Sequence, residues 1–317
     1  MKKSITITEL FDYHKDRLGL KWVAGKKGEH KALDKASSDT KFASPMLIGH
    51  MNFVHPHRIQ VIGSSEMEYL TKQSKAHASK SISKIFQNKP GAILVAMGID
   101  IPEEFIKNAE ATSTPLISSS INDQEIINYI LYFLNNVLAE TITVHGVFMA
   151  VSGIGVFLTG QSGIGKSELA LELLSRGHRL VADDAVAFSR PGPDTIVGSC
   201  PPALQDFLEV RGLGVLSIRS IFGDSAIKPS KNLRLIVELK PLSEIDNSKL
   251  DRLRTQSEYM EILGVKIPKV VIPVAPGRNL AVIIESASRN QILLDKGYDA
   301  TAAFIKQQKQ FMEQNSS

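Results

Sequence analysis

The segment GQSGIGKSELA, residues 160–170, decides how the fold of this chain is interpreted. Its first eight residues have the spacing G-x-x-x-x-G-K-[ST] of a phosphate-binding loop. A short apolar run at residues 155–159 predicts a strand before the motif. Residues 166–175 predict a helix after it, with an apolar face formed by Leu169, Ala170, Leu173 and Leu174. The motif therefore has the strand–loop–helix context in which backbone amides and a helix N-terminus bind an anion.

The loop residues have distinct expected roles in binding a triphosphate. Lys166 is expected to reach the β- and γ-phosphates, and the hydroxyl of Ser167 is expected to bind Mg²⁺. The predicted nucleotide-binding residues are Gly160, Gln161, Ser162, Gly163, Ile164, Gly165, Lys166 and Ser167. The motif leaves open whether the bound phosphate is hydrolysed, transferred or sensed. The alternative is a glycine-rich turn that binds nothing.

Two adjacent acids, Asp183 and Asp184, interrupt the apolar segment 179–188 soon after the loop. Adjacent carboxylates in a buried strand are costly unless cations or hydrogen bonds compensate them. Because neighbouring side chains of a strand point to opposite faces, we expect one acid to face the site and the other to support the structure. The alternative is a turn with two solvated aspartates.

A further strand is predicted at residues 208–217, LEVRGLGVLS. It carries Glu209 and Arg211 and ends at Gly212 and Gly214. Glu209 could complete a Mg²⁺ coordination shell, and Arg211 could hold a phosphate. An exposed strand with an ordinary salt bridge has the same composition, so this segment alone does not decide between the two.

The composition is that of a globular protein, with 43% hydrophobic and 22% charged residues. The formal net charge of +4 is mild and the basic residues form no run of five, so we do not expect a nucleic-acid-binding tract. Cys200 is the single cysteine, which excludes an intrachain disulfide and is typical of the reducing cytosol. The most hydrophobic helical segment, residues 121–140, contains too many polar groups for a membrane span. We therefore expect a soluble, cytoplasmic protein.

The length of 317 residues suggests two domains. In the first 120 residues helical and strand patterns alternate, which predicts a small α/β domain with largely parallel strands. Its first helix is expected to begin at a capping box formed by Thr6 and Glu9 and to run to about Leu18, where Gly19 stops it. From about Thr141 glycine becomes frequent and β-branched runs lengthen. We place an N-terminal α/β domain at residues 1–135 and a catalytic domain at residues 136–317.

Together these motifs resemble the bifunctional HPr kinase/phosphorylase family of bacteria. The resemblance depends on GQSGIGKS with the DD pair that follows it, then LEVRGLGVLS and PVAPGRN, and it extends to SPMLIGHMNFVHPHRIQVIG near the N-terminus. It covers nearly the whole chain. The resemblance implies an α/β fold with a small N-terminal domain and a C-terminal P-loop kinase domain that resembles phosphoenolpyruvate carboxykinase.

The family resemblance implies a chemistry in which ATP binds the loop and Mg²⁺ is held by Ser167 and Glu209. Asp184 matches the family's catalytic aspartate, which takes the proton of a serine hydroxyl of the carrier protein HPr and returns it when inorganic phosphate removes the phosphoryl group as pyrophosphate. His145, a lone histidine that by itself is usually structural, matches a family histidine near the phosphates. Asp183 is expected to support the site without transferring a proton.

Two more segments gain roles only through the resemblance. Arg252 matches a residue tied to catalysis, and the segment 273–278 with Pro273, Gly277 and Arg278 matches a loop tied to dephosphorylation. Many family members carry a basic residue where this chain has Ala275. We expect that difference to weaken phosphorolysis more than the kinase reaction.

The resemblance also implies partners and a setting. HPr is the expected protein substrate, regulation of carbon metabolism or of the sugar phosphotransferase system is the expected role, and a homohexamer is the expected assembly, with the C-terminal helix region helping to engage HPr. Two other functions stay open from the residues themselves. One is a small-molecule kinase on a scaffold resembling phosphoenolpyruvate carboxykinase, and the other is a regulator that senses ATP without transferring its phosphate.

Overall fold

The computed structural model describes residues 4–34, 47–52, 58–245 and 258–315. It divides into two compact units, Met1–Ala139 and Glu140–Ser317. Each unit has its own sheet and its own buried apolar core.

The first unit is an α/β structure. Its strands and helices, in chain order, are β1 (Ser4–Thr6), α1 (Ile7–His14), β2 (Lys21–Ala24), β3 (Ala32–Asp34), β4 (Ile48–His50), β5 (Ile59–Ile62), α2 (Ser64–Thr71), α3 (Lys75–Gln87), β6 (Ala92–Val95), α4 (Glu103–Thr112), β7 (Leu116–Ser118) and α5 (Asp123–Val137). The main sheet has the strand order β2-β7-β6-β5-β4, and β4 to β7 run parallel, as the alternating pattern predicts.

Local sequence signals explain several boundaries in this unit. Thr6 and Glu9 form the predicted capping box at the start of α1. The regular helix ends at His14, about four residues before the predicted end. The chain then turns through Gly19, which has a φ of +56°, and the amide of Leu20 donates to the carbonyl of Lys15. That bond closes a glycine C-cap, so the glycine stops the helix as predicted but the turn before it is not regular helix.

The second unit is also α/β. Its elements, in chain order, are β8 (Glu140–His145), β9 (Val147–Val151), β10 (Ile154–Gly160), α6 (Lys166–Ser175), β11 (Arg179–Ala182), β12 (Ala185–Gly192), β13 (Thr195–Ser199), β14 (Phe207–Val210), β15 (Gly214–Ser217), α7 (Ile218–Phe222), β16 (Ser230–Pro241), β17 (Glu258–Ile262), β18 (Val265–Val274), α8 (Leu280–Asp295) and α9 (Ala300–Asn315). The α/β class expected from the sequence is thus confirmed in both units.

The large sheet of this unit determines where the phosphate-binding loop lies. Its strand order is β11-β9-β10-β16-β13-β12-β8, and β18 also pairs with β16 and carries β17 at its side. Strands β10, β16 and β18 run parallel, so their carboxyl ends meet at one edge of the sheet. The phosphate-binding loop leaves β10 at that edge, which is where open α/β sheets bind ligands.

Helix α6 holds the loop against the core. Its predicted apolar face is buried, and that face consists of Leu169, Ala170, Leu173 and Leu174. Burying one leucine side chain contributes about 1.5–3 kcal/mol, so this face fixes the helix on the sheet. Among the residues that the structure describes, no helix is both long enough and apolar enough to span a bilayer.

Candidate active site

The loop between β10 and α6 has a backbone that only glycine accepts at its first position. Gly160 has a φ of +143°, and a Cβ atom placed there would lie 2.5 Å from the carbonyl oxygen of Leu239 on β16. Gly163 and Gly165 also have positive φ values, of +78° and +99°. The glycines of the motif are therefore required by the turn itself.

Lys166 is buried at the first position of α6. Its Nζ donates to the carbonyl oxygens of Gly160 and Gln161, each at 3.0 Å. Within the described part of the chain it makes no ion pair. A buried ammonium without a carboxylate is costly, and a phosphate in the loop would supply the missing negative charge.

A cavity of about 480 Å³ opens beside the loop. This volume is suited to a small ligand. The cavity contains polar and charged groups from the loop and from three other segments. It is lined by His145, Gly146, Ser162, Gly163, Gly165, Lys166, Ser167, Glu168, Asp183, Asp184, Glu209 and Arg211.

Asp183 connects two of these segments. Its carboxylate is buried and accepts a hydrogen bond from the backbone N–H of Glu209 at 2.9 Å and one from the hydroxyl of Ser167 at 3.4 Å. Burial is the largest influence and raises the pKa of Asp183, while the hydrogen bonds from the Glu209 and Asp184 amides oppose the rise. Asp183 therefore fixes β14 to the start of α6.

Asp184 faces the same cavity as Asp183, contrary to the expected alternation. The strand pattern stops at Ala182 and resumes at Ala185, and Asp184 adopts a left-handed backbone with a φ of +63°. The rule that neighbouring side chains point to opposite faces holds for extended backbone, and the chain is not extended here. Both residues consequently line the cavity.

His145 is the partner of Asp184. Its Nδ1 lies 2.9 Å from Oδ1 of Asp184, and the amide of Gly146 donates to the carbonyl of Asp184. The pairing of β8 with β12 brings them together, because His145 is opposite Ala185 in the register. The Asp184 side chain remains 64% exposed, so it is accessible to a molecule that enters the cavity.

Glu209 and Arg211 lie on a hairpin formed by β14 and β15. The guanidinium of Arg211 approaches the loop, since its Nη1 is 3.5 Å from the position that a Cβ of Gly163 would occupy. Neither residue forms an ion pair with another described residue, so the alternative of an ordinary salt bridge between them is not observed. Gly212 and Gly214, both with a φ of +86°, form the turn that follows.

The donor atoms of the cavity fit a magnesium ion. The hydroxyl of Ser167 and the carboxylates of Asp183, Asp184 and Glu209 are hard oxygen donors, which Mg²⁺ prefers. The described residues contain no cluster of three or more His, Cys, Asp or Glu side chains arranged to hold a metal. Mg²⁺ does not require such a cluster, because it usually takes one or two protein ligands and completes its shell with phosphates and water.

Several predicted residues do not line the cavity. Gly160, Gln161 and Ile164 belong to the loop but not to the lining, and neither do the hairpin glycines Gly212 and Gly214. The segment with Pro273, Gly277 and Arg278 lies at the end of β18 and in the exposed connection to α8, at the same edge of the sheet. Arg252 lies outside the described residues.

Two lining residues were not singled out from the sequence. Glu168 lies in the first turn of α6, and Gly146 follows His145. Its position in the sequence could have identified Glu168 as a residue of the site, because it is two residues from Lys166. Gly146 gives no signal of its own, since it reaches the cavity only through the strand pairing that brings in His145.

Comparison with known proteins gives a consistent assignment over the chain. The family model described as HPr Serine kinase N terminus matches residues 5–134, and the model described as HPr Serine kinase C-terminal domain matches residues 136–308. Relatives named HPr kinase/phosphorylase from Xanthomonas euvesicatoria pv. vesicatoria (strain 85-10) and Xanthomonas axonopodis pv. citri (strain 306) are each 45% identical over 317 residues, covering all of both chains.

A solved structure also matches in part. It is described as the Hpr(Ser) kinase/phosphatase from Coxiella burnetii, is 34% identical, and covers 51% of this chain and 98% of its own, with a TM-score of 0.47. The two family models together cover almost the whole sequence, and the Xanthomonas relatives cover all of it. The chain therefore belongs to the HPr kinase/phosphorylase family.

Proposed function

We propose that this protein phosphorylates a serine of the phosphocarrier protein HPr with ATP and also catalyses the reverse phosphorolysis by inorganic phosphate. The observation that carries the proposal is one cavity lined both by a buried Lys166, which forms no ion pair with a described residue, and by Asp184, whose carboxylate is accessible. Phosphoryl transfer requires charge neutralisation at the phosphates and a group that takes the acceptor's proton, and these two residues supply both.

The first requirement is met at the phosphate loop. Lys166 would neutralise the β- and γ-phosphates, and Arg211, which approaches the loop at Gly163, would add a second positive charge. Ser167 and Glu209 would hold a Mg²⁺ ion, which when bound withdraws charge from the triphosphate. Asp183 would hold Ser167 and β14 in fixed positions relative to each other through its two hydrogen bonds.

The second requirement is met by Asp184. In the kinase direction the serine oxygen attacks the γ-phosphorus, the bond from that phosphorus to the bridging oxygen of ADP breaks, and the hydroxyl proton passes to Asp184. In the reverse direction an oxygen of inorganic phosphate attacks the phosphorus of the seryl phosphate. The bond to the seryl oxygen then breaks, that oxygen takes the proton from Asp184, and pyrophosphate forms. His145 would orient the carboxylate through its contact at 2.9 Å.

The proposal also assigns roles near the reacting groups to the other predicted residues. Gly212 and Gly214 would shape the turn that presents Arg211, and Arg252 would contribute to catalysis. The loop with Pro273, Gly277 and Arg278 would act in dephosphorylation, and Ala275 in that loop would leave phosphorolysis the weaker of the two activities. The support for the loop is its position after β18, at the same sheet edge as the phosphate loop.

The proposal also includes a homohexameric assembly, an HPr-engaging C-terminal region and a role in carbon regulation. Helix α9 supports an interaction role, because Phe304 and Phe311 are exposed on it. Large exposed apolar side chains are typical of surfaces that bind another protein. A cytoplasmic location is part of the same proposal, supported by the unpaired thiol of Cys200.

Radiolabelled ATP tests the proposal directly. Purified HPr, incubated with the protein, Mg²⁺ and γ-labelled ATP, should acquire label on a serine, and added phosphate should release that label as pyrophosphate. An HPr variant without the serine is the matched control. Label found on a small metabolite would support the small-molecule kinase, and nucleotide binding without transfer would support the sensor. Either result would contradict the proposal.

A further inference from the structure

The hairpin of β14 and β15 is separate from the large sheet of the second unit. In the described residues its two strands pair only with each other. One face is buried, because Leu208 and Val210 pack into the core cluster that also contains the apolar face of α6. The opposite face is therefore the one that Phe207 and Glu209 occupy, since side chains alternate along a strand.

The outer face of the hairpin combines cavity residues with exposed apolar residues. Glu209 lines the cavity and is directly opposite Val215 in the antiparallel register. Opposed side chains of such a pair share one face and have Cβ atoms about 4.5–5.5 Å apart. Val215 is 66% exposed, and Phe207, two residues before Glu209, is 48% exposed. The edge of the cavity is thus bordered by apolar side chains.

A third apolar side chain lies at the turn of the hairpin. Leu213, two residues after Arg211, is 67% exposed. We call the three residues Phe207, Leu213 and Val215 the hairpin platform. Because these side chains are exposed, they do not stabilise the fold through burial. Apolar residues grouped beside a site are typical of a protein-binding surface.

The hairpin platform is fixed from its base. Arg219 on α7 donates to the carboxylate of Asp206 at 2.6 Å, and the amide of Ile218 donates to the carbonyl of Asp206 at 2.9 Å. Ser217 ends β15 and caps α7 through the amide of Ser220. A surface that is already ordered loses less entropy when a partner binds.

We propose that the hairpin platform docks the protein that carries the reactive serine, and that this partner presents an apolar surface next to that serine. The inference rests on the proposed function. A serine on a folded protein can reach Asp184 only if the body of that protein covers the mouth of the cavity, and Val215 is the direct cross-strand neighbour of a cavity residue. A small-molecule acceptor would fit inside the cavity and would leave this face in solvent.

Two variants test the hairpin platform with HPr as the probe. Leu213→Ser and Val215→Thr remove apolar surface, and threonine keeps the shape and the strand preference of valine. Each should raise the KM for HPr about tenfold, which is the size of effect that a side chain at the centre of an interface has when its apolar contact is lost. The dissociation constant of a non-hydrolysable ATP analogue, measured by calorimetry, should stay at the parental value, because neither side chain lines the cavity.

Leu293→Ser is the matched control. Leu293 is also an exposed leucine, but it lies near Asp295 at the end of α8, and Asp295 accepts a hydrogen bond from Arg234 at the start of β16. That end of β16 is opposite to the edge that holds the phosphate loop. The control should leave the KM for HPr unchanged.

The outcomes separate this inference from the proposed function. If the parent protein labels HPr and both platform variants keep the parental KM, the hairpin platform does not dock HPr, and the kinase proposal stands. A variant that weakens nucleotide binding as much as HPr binding would also overturn it, because the side chain would then act on the cavity. If the parent does not label HPr at all, the result contradicts the proposed function, and with it the docking role of the hairpin platform.

Discussion

Helix α6 carries a group of charges at each end, and the two groups differ in how completely their charges are paired. At the C-terminal end, Glu285 of α8 accepts two hydrogen bonds from Arg176, at 2.9 and 2.8 Å, and one from His178 at 2.9 Å. At the N-terminal end, the hydrogen bonds of Lys166 to described residues go to backbone carbonyls, and Lys166, Glu209 and Arg211 make no ion pair with a described residue.

The difference distinguishes a structural cluster from a binding site. Hydrogen bonds from Arg176, and then from His178, lower the pKa of Glu285 to about 2, so the carboxylate is stabilised by the fold itself. Among the described residues of the cavity, His145 and Asp184 are the two ionisable side chains that contact each other, at 2.9 Å. Lys166 and Arg211 form no ion pair with a described residue, and a bound triphosphate would bring negative charge to both.

The largest effect is expected at the N-terminal group. Lys166→Ala should reduce label transfer from ATP to HPr by about 10³-fold or more, because the transferred phosphoryl group loses a buried positive charge. The melting temperature should not fall, since no carboxylate loses its partner. Transfer assays and thermal unfolding of the same preparation check both statements. Full activity in the variant would remove the loop from the mechanism.

A loss of comparable size or smaller is expected from Asp184→Asn. The variant should bind nucleotide normally but lose about 10²–10⁴-fold in both directions, which is the usual contribution of a general acid or base. The measurements are the initial rates of HPr phosphorylation and of phosphate-driven dephosphorylation. If only one direction is lost, a single group does not serve as both base and acid.

The C-terminal group should affect stability and not chemistry. Glu285→Gln removes a carboxylate that accepts three charge-assisted hydrogen bonds and should lower the free energy of unfolding by about 2 kcal/mol. Activity per folded molecule should not change. Glu172→Gln, at an exposed glutamate of α6, is the matched control and should change the unfolding free energy by less than about 0.5 kcal/mol. An equal loss in both variants would contradict the comparison.

The same carboxylate predicts a smaller, pH-dependent effect. Its pKa is lowered from 4.5 to about 2 in the folded protein, so its contribution to stability is fully present above the unfolded value and is lost as the pH falls through the folded value. The difference in unfolding free energy between the parent and Glu285→Gln should therefore be constant near neutral pH and shrink between about pH 4.5 and pH 2. Denaturant unfolding at several pH values measures it. A difference that does not depend on pH would show that the carboxylate's charge is not the cause.

The smallest expected effect concerns the loop after β18. Ala275→Arg should raise the rate of phosphorolysis about threefold and change the kinase rate less, because a positive charge near an incoming phosphate attracts it. Parallel assays in the two directions measure the ratio. Equal phosphorolysis rates in the variant and the parent would remove the basis for assigning a role to this position.

Much of the fold follows from local sequence signals. The spacing of residues 160–167 predicts the loop, and the apolar run before it and the helical face after it predict β10 and α6. Such signals involve side chains a few positions apart, so they can be recognised without knowledge of the rest of the structure. The capping box at Thr6 and Glu9 was predicted for the same reason.

Contacts between distant parts of the chain could not be predicted in this way. His145 meets Asp184 because β8 pairs with β12, and Glu285 meets Arg176 across more than a hundred residues of chain. The shared orientation of Asp183 and Asp184 depends on a backbone conformation that no residue pattern fixed. These features depend on tertiary structure, which the periodicity of a single segment does not contain.

The left-handed backbone at Asp184 restricts which amino acids can replace it. Glycine, asparagine and aspartate adopt this conformation most readily, whereas most other residues with a Cβ atom pay a steric penalty of about 1–2 kcal/mol. Asp184→Asn is therefore a substitution that alters the charge without straining the backbone. A loss of activity in that variant can be assigned to the charge and not to a displaced turn.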